Sequence, residues 1–186
     1  MNSWNGLVAE RTPDSGIAYF SEGKSSEDLL ILAFIMEDGS RRFYESASDV
    51  ASTEDAINTL KRLAVAEGHH KATLLKLYSS MTGKDSKELD SSVMTDEKHR
   101  DIMEGGMSIS KAVEWITGKN TIDILELCMS LEISAYDVYL LLEKTLEDTE
   151  SKRVFKVLAE EEKQHLDRLS SLLEVLIKSK RSKERS

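Results

Sequence analysis

One cysteine, one proline and few aromatic residues are the first constraints this chain imposes. A single Cys128 cannot form a disulfide within the chain and cannot make the paired CxxC of a zinc or redox motif. With only Pro13 to break helices, and with Leu, Glu, Lys, Ala and Ser abundant, long uninterrupted helices are favoured over sheet. No apolar run reaches the ~18 residues of a membrane span, and the first residues, "MNSWNGLVAERTPDSG", lack the apolar core of a secretory leader. A soluble, cytoplasmic protein is expected. The formal net charge is −9, which repels phosphate backbones and anionic lipid, so neither nucleic acid nor a membrane is an expected partner.

The remaining sequence divides into helical segments. Residues 1–25 hold the proline with Gly6, Gly16 and Gly23 and show no period, so they are read as an irregular arm. "SSED" from Ser25 starts a first helix, expected to end near Ser48; "STED" from Ser52 starts a second, which Gly83 ends. A crossover over about 84–120 contains a turn at Glu104–Gly106 and a short helix capped by Ser108 and ended by Gly118. Thr121 and Thr149 are the expected caps of a third and a fourth long helix, the latter reaching about Lys178, with a basic flexible tail over 179–186. Two hairpins joined by a long crossover give an all-α four-helix bundle over 26–178.

Inside this frame lies a repeat. "LAVAEGHHKATL" (Leu63–Leu74) and "LAEEEKQHLDRL" (Leu158–Leu169) share Leu-Ala-x-x-Glu-x-x-His-x-x-x-Leu at an offset of 95 residues. The same offset carries "EDGSRRFY" (Glu37–Tyr44) onto "EISAYDVY" (Glu132–Tyr139). In both halves a glutamate therefore precedes Glu-x-x-His by 30 residues.

Helical phase decides what these residues face. The second helix has an inward ladder of Leu60, Leu63, Glu67, His70, Leu74, Leu77 and Met81; the fourth has Val154, Leu158, Glu162, His165, Leu169, Leu172 and Leu176. The third reads Leu125, Cys128, Glu132, Ala135, Tyr139, Leu142, and the first reads Leu30, Ala33, Glu37, Ser40, Tyr44. His69 is turned about 100° from His70, toward solvent or the flank. Four bare carboxylates at one level would repel strongly in a dry core. Glu37, Glu67, His70, Glu132, Glu162 and His165 instead suit two divalent ions, and oxygen-rich ligation with one imidazole per ion favours Fe or Mn over structural Zn. The pattern matches that of ferritin-like di-iron and di-manganese proteins, one glutamate from each of two helices and Glu-x-x-His from each of the others.

On these segments the chain resembles the rubrerythrin branch of the ferritin-like superfamily, over roughly 26–80 and 121–178. The resemblance implies a di-iron centre (Mn or Zn being possible occupants) in which Glu67 and Glu162 lie between the metals while Glu37, Glu132, His70 and His165 are terminal ligands. It implies reduction of peroxide or O₂, and a homodimer, since related bundles pair. Two features depart from the family. The rubredoxin-like domain is missing, so electrons have to come from a separate donor, a rubredoxin-like protein or a flavin reductase. An additional family glutamate, three residues after the third-helix ligand, is Ala135 here. "WNGLVA" (Trp4–Ala9) is similar to the segment leaving a rhodanese domain, which admits a rhodanese-type partner; a plain disordered arm is the alternative. Two rival readings stay open: a non-catalytic metal-binding or sensing module, and a bundle whose acidic centre holds only water and protons.

Other residues have plainer expectations. Cys128 pairs with Ala33 in the repeat and reads as a small core residue. Tyr44 and Tyr139 either bond ligand carboxylates across the bundle or form an aromatic layer. His99 is read as solvated, and Trp115 as the anchor of the short crossover helix.

Overall fold

The computed structural model describes residue 20, residues 24–85 and residues 101–183. The N-terminal arm, apart from Phe20 and Lys24–Ser25, and His99 lie outside the described residues, as do 184–186. The chain forms α1 (Ser26–Val50), α2 (Glu54–Thr82), β1 (Ile102–Met103), β2 (Met107–Ser108), α3 (Ile109–Ile116), α4 (Thr121–Thr145) and α5 (Thr149–Lys183). The architecture is the expected all-α bundle: α1 packs on α2, α4 packs on α5, and the hairpins meet mainly through α2 and α5.

Side-chain caps fix where the helices begin. At Ser25 the hydroxyl accepts from the Asp28 N–H while the Asp28 carboxylate accepts from the Ser25 N–H, a reciprocal cap on α1. Three starts differ by one residue from expectation. Thr53, not Ser52, caps α2. Asn120 caps α4 through Asp123, which frees the Thr121 hydroxyl to accept from the Ser52 N–H and tie α4 to the α1–α2 turn. Asp148 accepts from the Ser151 N–H at 2.7 Å ahead of α5. The α5 helix runs to Lys183, five residues past its expected end, because an exposed basic segment at a helix C-terminus meets no breaker and suits the dipole.

The core has two apolar clusters. One gathers Phe43, Leu60, Leu63, Ile124, Leu131 and Leu169; the other gathers Phe34, Leu74, Leu77, Leu142, Phe155 and Leu158. A fully buried leucine contributes about 2 kcal/mol, so these clusters supply the drive to close the bundle. Cys128 and Ala33 are both fully buried, the expected core pair. Trp115 is half-buried against the first cluster, with the Lys119 ammonium 4.9 Å from its ring centre. Met81 and Val154 sit at the margins of their ladders; Met81 is 36% exposed, and in α5 Phe155 is the buried neighbour.

The crossover contains more than a turn and a helix. β1 and β2 pair antiparallel, with Ile102 opposite Ser108 and Met103 opposite Met107. The turn between them is Glu104–Gly106, and Gly105 and Gly106 both have left-handed backbone, at φ 69° and 67°. Asp101 pins the base of this hairpin by accepting from the Ser108 and Ser110 hydroxyls and the Ser110 N–H. The hairpin lies directly on α1 at Gly39, where an added Cβ would stand 2.0 Å from the Ile102 carbonyl oxygen. Beside it Asp38 is buried and takes Arg41, Arg42 and Lys71 at 3.3, 2.9 and 3.0 Å.

Two helix glycines therefore predict opposite outcomes. G39A forces the hairpin off α1 and should lower stability by about 1–3 kcal/mol, as overpacking does. G68A meets only Arg41 Cδ, at 3.9 Å, and should raise stability by up to about 1 kcal/mol from helix propensity. Thermal melting of both variants checks this; a G39A protein as stable as the parent would mean the hairpin is not held at this distance.

Candidate metal centre

The four inward ladders bring Glu37 from α1, Glu67 and His70 from α2, Glu132 from α4, and Glu162 and His165 from α5 to one level between the two apolar clusters. All four glutamates are fully buried, His70 is 2% exposed and His165 is 4% exposed. Their ligand atoms form two overlapping groups, each within 4.8 Å: Glu37, Glu67, His70 and Glu162, then Glu67, Glu132, Glu162 and His165. Glu67 and Glu162 belong to both. Glu67 turns Oε2 to His70 Nδ1 at 3.0 Å and Oε1 to His165 Nδ1 at 3.7 Å. Glu162 does the same, Oε1 to His70 at 2.9 Å and Oε2 to His165 at 3.2 Å. Glu37 Oε2 lies 3.3 Å from His70 Nδ1, and Glu132 Oε2 lies 3.3 Å from His165 Nδ1. The two imidazoles stack with centres 5.4 Å apart.

Proximity here is not saturation. Glu37 Oε2, both oxygens of Glu67, Glu162 Oε1 and His70 Nδ1 are buried without an aligned hydrogen bond, although ion-pair distances are met. Buried polar atoms are normally bonded, and each orphan costs about 1–3 kcal/mol. Orphaned ligand atoms converging from three helices fit a site built for cations. Cys128 lies one turn before Glu132, but its sulfur joins neither group.

The protonation of this layer follows from its crowding. Burial raises the Glu67 carboxyl well above its usual range, with the charges of Glu162 and Glu37 adding to the effect. Burial and then Glu162 lift Glu132 to about 8. Glu162 goes the other way: burial opposes its charge, but His70 and His165 hold it ionised. Burial disfavours the imidazolium at both histidines. Nevertheless, the charges of Glu37 and Glu162 raise His70 well above its usual value, and bonds to Glu132 and Glu162 push His165 to about 9.

Further side chains orient the centre. The Tyr44 hydroxyl donates to Glu132 Oε1 at 2.7 Å, and the Tyr139 hydroxyl donates to Glu37 Oε1. Each tyrosine thus reaches across to the glutamate of the other half, the first of the two expectations for this pair. His70 Nε2 faces Glu161 Oε2 at 2.9 Å, which leaves Nδ1 turned to the centre. His69 is exposed, as its phase requires.

The centre has two different faces. Between α2 and α5 a cleft of about 200 Å³ is lined by His69, His70, Glu161, Gln164, His165 and Arg168. On the α1–α4 side the crossover hairpin covers the centre and inserts Glu104, which is 2% exposed. Sequence reading missed Glu104 and Glu161. Glu161 was detectable in principle, as the residue preceding a ligand-type glutamate on the same helix. Glu104 carried only a turn signature, and nothing in a turn signature says where its side chain goes.

Known proteins give the same picture. The rubrerythrin family model matches residues 28–122 and 123–186. A solved structure, a hypothetical protein from Pyrococcus furiosus, is 30% identical, with a TM-score of 0.62 over 88% of this chain and 94% of that one. A comparison with curated proteins gives no match. A family model that covers both hairpins, joined to a carboxylate–imidazole cluster able to hold metal, means that this chain belongs to the rubrerythrin family.

Proposed function

We propose that the centre holds two iron ions and that the protein reduces peroxide or O₂ with electrons from a separate donor. Glu67 and Glu162 would lie between the ions. Glu37 and His70 would complete one, Glu132 and His165 the other. The observation that carries this reading is the division of labour in Glu67 and Glu162, each of which turns one oxygen toward each half. Four carboxylates against two divalent ions are also neutral overall, which removes the repulsion among the carboxylates.

Bound ferrous ions would supply the two electrons needed to cleave an O–O bond. The side chains do the rest. Glu161 fixes His70 so that Nδ1 faces inward. Tyr44 and Tyr139 hold one oxygen of Glu132 and of Glu37, which leaves the other oxygen of each toward the histidines. The α2–α5 cleft admits a molecule the size of peroxide beside the imidazoles, and the apolar clusters above and below keep bulk water from the layer.

Anaerobic loading with Fe(II) should give two irons per chain and a new near-ultraviolet absorption after one equivalent of peroxide. The E67A/E162A variant should lose binuclear uptake. Retention of two irons and of peroxide turnover by that variant would show the assignment to be wrong, while uptake in the parent without reductant-coupled turnover would favour the non-catalytic metal-binding reading.

Proton occupancy makes a separate prediction. His165 rises from 6.5 to about 9 on folding, so the stability it contributes is complete below about pH 6.5 and is lost as pH climbs through 9. Glu132 rises from 4.5 to about 8, so its contribution is complete below about pH 4.5 and gone above 8. Glu162 is ionised throughout this window and adds no slope. The metal-free protein should melt at a lower temperature at pH 9 than at pH 6, and iron uptake should release protons and strengthen from pH 6 to pH 8. A metal-free melting temperature that is flat or rising over that range would contradict the proton assignment.

A further inference from the structure

Glu104 is as buried as the six residues of the centre but belongs to neither group of ligand atoms. Its Oε2 accepts from the Ser40 hydroxyl at 2.9 Å, and its own N–H donates to the Ser40 hydroxyl oxygen at 3.3 Å. Its Oε1 is buried without a hydrogen bond. The strongest influences on its carboxylate, beyond burial, are the charges of Glu37, Glu162 and Glu132, in that order. A carboxylate is an expensive way to fill a gap between helices, since burial leaves one of its oxygens unpaired. Yet three glycines serve its delivery: Gly39 lets the hairpin touch α1, and Gly105 and Gly106 make the turn that aims it inward.

The repeat locates Glu104 further. Shifting by 95 residues carries Ser40 onto Ala135, and the two halves meet Glu104 differently. On the α1 side it is fastened by the Ser40 hydroxyl. On the α4 side it shares with Ala135, Val138 and Tyr139 a cavity of about 10 Å³, barely the room of one water. The internal symmetry is therefore broken, and Glu104 is held toward the half that contains Glu37 and His70.

We propose that Glu104 is a seventh metal-binding side chain, its Oε1 a ligand of the ion on the Glu37 and His70 half, with Ser40 as the residue that positions it. This rests on the binuclear reading above. A fifth carboxylate takes the ligand charge from −4 to −5 and makes the two ion positions inequivalent.

The test is anaerobic titration of the full chain with Co(II) against a competing chelator, with the visible absorption of bound Co(II) recorded. E104Q keeps the length of the side chain and an acceptor for Ser40 but removes the anionic ligand. The parent should bind two ions with unequal affinity. E104Q should still bind two, with one position weakened about tenfold or more and its Co(II) bands altered, while metal-free melting is unchanged or higher. S40A should weaken the same position by a smaller factor. Should E104Q fail to fold, E104D, which keeps the charge and withdraws it by one methylene, carries the same comparison. Parent-like affinities and bands in the variant would overturn the proposal and make Glu104 a core residue. A parent that binds no second ion would overturn the binuclear reading itself, and this proposal with it.

Discussion

Like charges in a dry space repel, and the middle of this bundle holds Glu37, Glu67, Glu104, Glu132 and Glu162 with almost no access to water. Everything around that layer answers the repulsion. The imidazoles of His70 and His165 take up protons and share the carboxylates between them. Tyr44 and Tyr139 each cross the bundle to hold one carboxylate oxygen. What remains is a set of buried oxygens without aligned partners, a cost borne by two apolar clusters that close the bundle on either side. Such a layer is poor design for stability alone and good design for cations, which would replace the protons and complete the missing bonds.

The layer's two faces divide the work of the fold. The helices that carry Glu-x-x-His also line the cleft, so the imidazoles stand where small molecules can arrive. The opposite face is sealed by a short β-hairpin, a minor departure from helix among the described residues. It is also where the internal repeat fails, because the crossover occurs once while the helix pairs occur twice. One buried side chain from a single connection must sit unequally between two related halves, and Ser40 against Ala135 decides which half it joins. The unequal seating of Glu104 between the two halves is thus a consequence of topology.

Much of this was legible before any coordinates. The 95-residue offset, the 30-residue spacing from glutamate to Glu-x-x-His, and the three-and-four stepping of the ladders determined which six side chains share a level, because helical period converts spacing into facing. The bundle, its hairpins and the position of the short helix followed from the same periodicity and from Ser, Thr and Gly at the helix ends. Individual caps were off by one residue, since Ser52 and Thr53 are chemically interchangeable in that role and only the path of the backbone chooses between them.

What spacing could not supply is contact between segments that share no period. The crossing of Tyr44 to Glu132 and of Tyr139 to Glu37 was one of two readings until the hairpins were docked. The burial of Glu104 depends on a backbone approach at Gly39 to a carbonyl 63 residues away, which no local pattern encodes (Gly39 against Ile102). The sequence by itself determined the six residues and their common level, through helical phase. Only the tertiary structure decided which oxygen faces which nitrogen, which face of the centre is open, and that a fifth acid stands against it, because those depend on how separate elements pack.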